Sequence, residues 1–258
     1  MTMRELDLNS DMGEAFGAWR GGDDAALLEH VSSANIACGF HAGDARTMAA
    51  TVKLAAARGV AIGAHPGLPD LQGFGRREMA ISPAEAYDFT VYQVGALKGF
   101  TAAAGVPLAH VKAHGALYNM AAQDETLAEA ICRAVRDIDP RLIVYALAGS
   151  RMVEVARSLG LAVANEVFAD RSYQDDGSLT PRRLPGAMIT DLELSIAQVR
   201  TMVEQGYVRA LSGKEVPLAA DTLCLHGDQP DAPVFARALR DALETAGITI
   251  RAPRPLAS

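Results

Sequence analysis

The sequence has little cysteine, no basic run, no long apolar run and no glycine-rich nucleotide loop. Three cysteines stand in 258 residues. Cys38, Cys132 and Cys224 are far apart and lack CxxC spacing. They suit a reducing cytosol and provide neither a disulfide framework nor a thiolate metal site. Lysine and arginine are scattered and the formal net charge is -7, so neither nucleic acid nor a membrane surface is an expected partner. The N-terminus MTMRELDLNSD enters a strand-like segment directly, with no signal peptide and no run able to span a bilayer. A cytoplasmic protein is expected. LNSDMGEAFG does not fit the dinucleotide fingerprint G-x-G-x-x-G, and Gly213-Lys214 lacks the upstream glycine of a phosphate loop.

What is present is alternation. Strand-like segments run over Met3–Leu8, Val31–Ala37, Val60–Ala64, Ala109–Ala113, Leu142–Leu147, Leu161–Val167 and Thr222–Leu225. Helical stretches lie between them: Asp44–Arg58, a capping box opening at Ser82-Pro83-Ala84-Glu85, segments near Glu125–Asp137 and Ser150–Leu159, a second box at Thr190–Glu193 running to Gly206, and Pro233–Thr245. YVRALSGKEVPL (207–218) predicts a small hairpin turning at Ser212-Gly213 before the last strand. Seven strand–helix units imply a parallel sheet wrapped by helices. Without a nucleotide loop, a closed βα barrel is the expected α/β architecture, as one domain over residues 1–258. The glycine-rich loop Pro66–Glu78 could close over its mouth.

The polar residues fall at the strand ends. Leu6 and Leu8 alternate with Asp7 and Asn9, followed by Asp11; side chains alternate faces along a strand, so the polar set faces the barrel axis. The second strand offers Asn35 and then His41, the third His65, the fourth Lys112 and His114. The sixth offers Glu166 and then Asp170-Arg171, and the seventh Cys224, His226 and Asp228. Barrel active sites form at these C-terminal ends. A buried charge needs a partner, so the acids Asp7, Asp11 and Glu166 are expected to converge with Lys112 and His114. Asp44 reads equally as a helix cap, and Cys38 and Cys224 as buried apolar residues. Asp11, His41 and His65 come from three successive strand ends and leave room for a divalent metal. No H-x-x-x-H or H-x-H spacing is present, and metal-free proton transfer is the competing chemistry.

The runs LDLNSDMGEAFG, ANIACGFHAGD, GAHPGLPD, GFGRRE, VKAHGALYN, NEVFADRSY and LCLHGD resemble the diagnostic motifs of the LamB/YcsF family, the A subunits of bacterial 5-oxoprolinase. The resemblance runs in order from about Leu6 to Asp228. It implies a seven-stranded TIM-like barrel of the glycoside hydrolase/deacetylase type. It implies ATP-dependent opening of 5-oxoproline (pyroglutamate) to L-glutamate together with B and C subunits, which would bind the ATP. Related deacetylases hold a metal with one Asp and two His. On this footing Asp11 or Asp7 is the expected base, Lys112 the stabiliser of negative charge, His114 a proton shuttle and Glu166 the group that holds Lys112. Asn9, Asn35, His41, His65, Asp170, Arg171 and His226 are the expected substrate contacts. The alternatives are a free-standing metal-dependent amidohydrolase or deacetylase, and a regulatory subunit without catalysis. Homo-oligomer formation is left open.

Overall fold

The computed structural model describes residues 4–19, 21–225 and 232–254. Among these residues, ten strands and eight α-helices follow in the order β1 (Arg4–Met12), α1 (Asp24–Leu27), β2 (Ser33–Ala37), α2 (Ala45–Ala57), β3 (Ala61–His65), α3 (Pro83–Ala103), β4 (His110–Lys112), α4 (Gly115–Gln123), α5 (Glu125–Ile138), β5 (Ile143–Leu147), α6 (Arg151–Ser158), β6 (Val163–Phe168), α7 (Leu192–Arg200), β7 (Tyr207–Arg209), β8 (Glu215–Pro217), β9 (Thr222–Leu225), α8 (Ala232–Thr245) and β10 (Ile248–Ile250). Strands β1 to β6 and β9 pair in parallel, and β9 returns to β1, so seven strands close the predicted barrel. β7 and β8 form the predicted antiparallel hairpin. No helix among the described residues is long and apolar enough to cross a membrane.

Local chemistry explains most helix boundaries. Ser82 and Glu85 form the expected capping box with Pro83 in the first turn. Asp44 caps α2 by accepting from the Thr47 amide at 2.8 Å. The expected box at Thr190 is replaced by a simpler cap: Asp191 itself accepts from the Leu194 amide. That helix passes into a π-helical turn over Thr201–Gln205 and stops at left-handed Gly206.

The short α1 was not anticipated, and three further elements depart from expectation. β1 runs on to Met12 instead of ending at Leu8, because Asn9–Met12 pair with β2. β10 adds in parallel to the first half of β1, at Arg4–Leu6, where β9 does not reach. α4 starts immediately after His114 with no side-chain cap. Its first residue, Gly115, has φ 55° and a Cβ there would sit 2.6 Å from the Gly75 carbonyl, so only glycine fits.

The loop after β3, read as a closing lid, is tied down. Gln93 of α3 clamps Gly67 by accepting from its amide and donating to its carbonyl, both at 2.9 Å. Asp70 accepts from the Arg77 guanidinium, and the Ala116 amide donates to Gly75 O at 2.9 Å. The Gln93 and Ala116 bonds tie the loop to α3 and α4, and the Asp70–Arg77 pair braces it internally.

Candidate active site

The barrel interior is a column of polar side chains standing on a small apolar floor of Ile143, Tyr145 and Ala164. Above the floor, Asp7 accepts from the hydroxyls of Ser32 (2.6 Å), Ser33 (2.7 Å) and Thr222 (2.6 Å). Burial raises its pKa, against the lowering effect of those hydroxyls. Both Asp7 oxygens are thereby committed to the protein.

The next layer is an amide network. Asn9 Nδ2 donates to Glu166 Oε1 at 3.0 Å and Thr222 Oγ1 at 2.7 Å. Asn35 Nδ2 donates to Asn9 Oδ1 at 2.7 Å and Asp11 Oδ1 at 2.9 Å. His110 donates through Nε2 to Asn35 Oδ1 at 2.7 Å and stacks on Tyr145 with ring centroids 4.0 Å apart. Space for the His110 ring comes from Gly63 on β3, where a Cβ would fall 2.0 Å from its Nε2. Burial, reinforced by the Lys112 charge, pulls the His110 pKa down to about 3, so the ring is neutral. The donors of both asparagines and their carbonyls are all used within the protein, which makes them orienting groups for the layer above.

Lys112 is the centre of that layer. Its ammonium lies 2.8 Å from Glu166 Oε1, 3.0 Å from Asp11 Oδ1, 3.1 Å from Cys224 Sγ and 3.2 Å from Asn9 Oδ1. Burial alone would lower its pKa; Asp11 and Glu166 outweigh burial and hold it well above the usual lysine range. The buried Cys224 thiol is pushed up by burial despite the neighbouring ammonium, so it is a thiol and not a thiolate. Tyr118, on the first turns of α4, brings its hydroxyl toward Glu166; burial and that carboxylate raise its pKa.

At the rim stand His41, His65 and His114 with Glu14. His65 Nδ1 is 2.8 Å from the Lys112 carbonyl, and His114 Nε2 is 2.8 Å from the Phe74 carbonyl. The facing nitrogens, His65 Nε2 and His114 Nδ1, are 2.9 Å apart. Glu14 Oε1 lies 3.3 Å from His41 Nε2 and 3.7 Å from His114 Nδ1. Asp11 Oδ2 lies 3.3 Å from His65 Nε2. Donor atoms from Glu14, His41, His65 and His114 all fall within 4.8 Å of one another, a spacing compatible with a metal ion. Burial drives the pKa values of His41 and His114 well below the usual histidine value.

The structure therefore brings Asp11, Lys112, His114, Glu166, Asn9, Asn35, His41 and His65 into one constellation, with Asp7 beneath it. Asp170 and Arg171 follow β6 and are buried. The Arg171 guanidinium donates to the Thr180 carbonyl at 2.7 Å, and burial with the nearby Arg182 charge lowers its pKa to about 10. His226 and Asp228 lie outside the described residues. Glu14, His110 and Tyr118 were not anticipated as members. His110 shares the alternation that singles out Lys112, and that periodicity was the available signal.

Acid, base and imidazole groups gathered at the carboxyl ends of a closed parallel barrel have the layout of a class, the barrel enzymes, whose active sites form at that end. The chain belongs to the LamB/YcsF family, whose pattern matches residues 6–258. It is 64% identical over 247 residues to the 5-oxoprolinase A subunit of Bordetella pertussis, covering 96% of this chain and 98% of that protein. It is 56% identical over 250 residues to the 5-oxoprolinase A subunit of Bacillus subtilis, covering 97% of each. Among solved structures, the lactam utilization protein of Thermus thermophilus superposes with a TM-score of 0.91 at 51% identity, over 96% of this chain and 100% of that one.

Proposed function

We propose that this chain is the A subunit of an ATP-dependent 5-oxoprolinase and opens 5-oxo-L-proline to L-glutamate together with B and C subunits that bind the ATP. Two observations support the reading: the A-subunit relatives over nearly the whole chain, and the buried Lys112 ammonium between Asp11 and Glu166 at the barrel mouth. The second is the one that carries the chemistry.

A five-membered lactam is an unstrained amide and resists water. Transfer of the terminal phosphoryl group of ATP to its carbonyl oxygen, with loss of the ring N–H proton, gives an imidoyl phosphate. Water then adds to the ring carbon. The carbon–nitrogen bond breaks as nitrogen is protonated, leaving an acyl phosphate and the free amine. A second water releases phosphate and yields glutamate. Asp11 takes the proton from the first water and returns it to the departing nitrogen. Lys112 stabilises the negative charge that develops on oxygen. Glu166 and Asn9 fix the ammonium for that task. Asp7 takes no part in proton transfer because both of its oxygens are held by hydroxyls. His114 takes none either, because its Nε2 faces a carbonyl and its Nδ1 faces His65. Arg171, Asp170 and His226 serve the substrate carboxylate and amide, with Arg171 the cation suited to a carboxylate.

The test is glutamate release from 5-oxoproline by the purified chain, alone and with the B and C proteins, with and without ATP. The expected result is release only when partners and ATP are all present. Release by the chain alone without ATP would replace this reading with that of a free-standing amidohydrolase.

A further inference from the structure

With both rings neutral, the hydrogen-bond geometry at the rim lacks one positive centre, a proton or a metal ion, between two facing nitrogens. A backbone carbonyl only accepts, so His65 carries its proton on Nδ1, facing Lys112 O, and His114 carries its proton on Nε2, facing Phe74 O. As neutral rings, each then presents a bare lone pair to the other across 2.9 Å. Two lone pairs at that distance repel. The two rings stand nearly perpendicular, at 87°, with the facing nitrogens between them. Glu14 brings a carboxylate oxygen to the same place. Tying the remote nitrogen of each imidazole to a carbonyl is how proteins fix the tautomer of a metal-bound histidine. The Phe74 carbonyl is aimed at some cost, since Phe74 is the non-glycine residue with positive φ (55°) among the described residues.

We propose that Glu14, His65 and His114 ligate a first-row divalent transition metal at the barrel rim. The set is two imidazoles and one carboxylate, which suits Zn²⁺ and its neighbours and leaves a coordination position open. His41 lies face to face with His114, at 3.6 Å and 4°, and turns its Nε2 to Glu14. It is a positioning residue that holds Glu14 at 3.3 Å. Asp11 is left out of the set because it stands outside the group whose donor atoms all lie within 4.8 Å of one another; its Oδ1 is taken by Lys112 and Asn35, and its Oδ2 lies 3.3 Å from His65 Nε2. When bound, such an ion polarises a carbonyl or acidifies a coordinated water. The proposal rests on side-chain geometry and is independent of the substrate assigned above.

The experiment uses the full chain, stripped with a chelator and titrated with Co²⁺ and with Zn²⁺. The expected result is visible ligand-field bands for Co²⁺, displaced by Zn²⁺, with one equivalent retained through gel filtration. His65→Ala and His114→Ala should each weaken affinity about 100-fold or more, since even outer partners of metal ligands cost about 10–100-fold. Their metal-free thermal transitions are compared with that of the stripped parent to establish folding. If either fails to fold, Glu14→Gln, at a partly exposed position beyond β1, must show the same loss. Asp11→Asn should keep the Co²⁺ bands. Absence of bands in the parent, or bands unchanged in His114→Ala and Glu14→Gln, overturns the proposal. Loss of bands in Asp11→Asn overturns the ligand assignment in favour of Asp11 with His41 and His65.

Discussion

The two faces of the barrel wall are equally dry and chemically opposite. Outward, Leu6, Leu8, Ile36, Ile62, Val111, Val144, Val167 and Leu223 pack against the helices in one continuous apolar layer. Inward, on the same strands, stand Asp7, Asn9, Asn35, His65, His110, Lys112, Glu166 and Cys224. The outer face gains free energy simply by leaving water, at about 25 cal/mol per Å² of apolar surface. The inner face loses solvation and recovers it only through complete pairing. The outer layer tolerates exchange of one apolar group for another, whereas the inner column fails if one member is removed. Stability is therefore concentrated outside and chemistry inside, one residue apart.

The sharpest way to break this contrast is Lys112→Met. The variant keeps the volume and removes the charge, leaving Asp11 and Glu166 facing each other without the cation between them. Ring opening by the reconstituted complex should fall about 10²–10³-fold or more, as for loss of a single oxyanion donor. Stability should fall by about 3–5 kcal/mol, the usual consequence of breaking a buried pair. Glutamate release and denaturant unfolding measure the two effects. A variant with near-parental turnover would reduce the column to a structural feature.

The complementary substitution is Leu8→Ala, between Asp7 and Asn9 but pointing the other way. Leu8 is fully buried, so truncation should cost about 2–5 kcal/mol of stability. Turnover per folded molecule should remain unchanged. A loss of turnover larger than the loss of folded protein would mean that the two faces are mechanically coupled.

How much of this was readable depends on the period of the signal. Alternation of Leu6, Asp7, Leu8 and Asn9, and of Val111, Lys112 and Ala113, announces both the barrel strands and which residues line the axis, because a strand has only two faces. The hairpin was readable from its turn. Glu14 was missed because it lies two residues beyond the end of β1 at Met12, in a segment with no strand period to assign its direction. α4 was missed because it opens with a glycine demanded by the approach of Gly75, a tertiary constraint with no local trace. The loop at Pro66–Glu78 looked mobile from its glycines, yet two of them, Gly67 and Gly75, are small because His41 and His114 press against them. β10 is three residues long and exists through pairing with β1, which no local pattern encodes.

The smallest effect separates the faces by pH. His110 is held neutral, its pKa lowered to about 3 by burial and by Lys112, while in the unfolded chain a histidine titrates near 6.5. Between these values the unfolded state binds a proton that the native state refuses. Stability therefore falls as pH falls through that window, by about 1.4 kcal/mol per unit for this one group, and is unaffected by it above the unfolded value. His110→Gln keeps a donor for Asn35 and removes the titration. Its urea midpoints between pH 6 and 4 should decline less steeply than those of the parent, by about that slope. Leu8→Ala should shift the whole curve downward without changing its steepness, because no proton is linked to an outer-face leucine. If His110→Gln and the parent run parallel on acidification, the inner column is not excluding protons at His110, and the burial that defines the contrast is breached by water in solution.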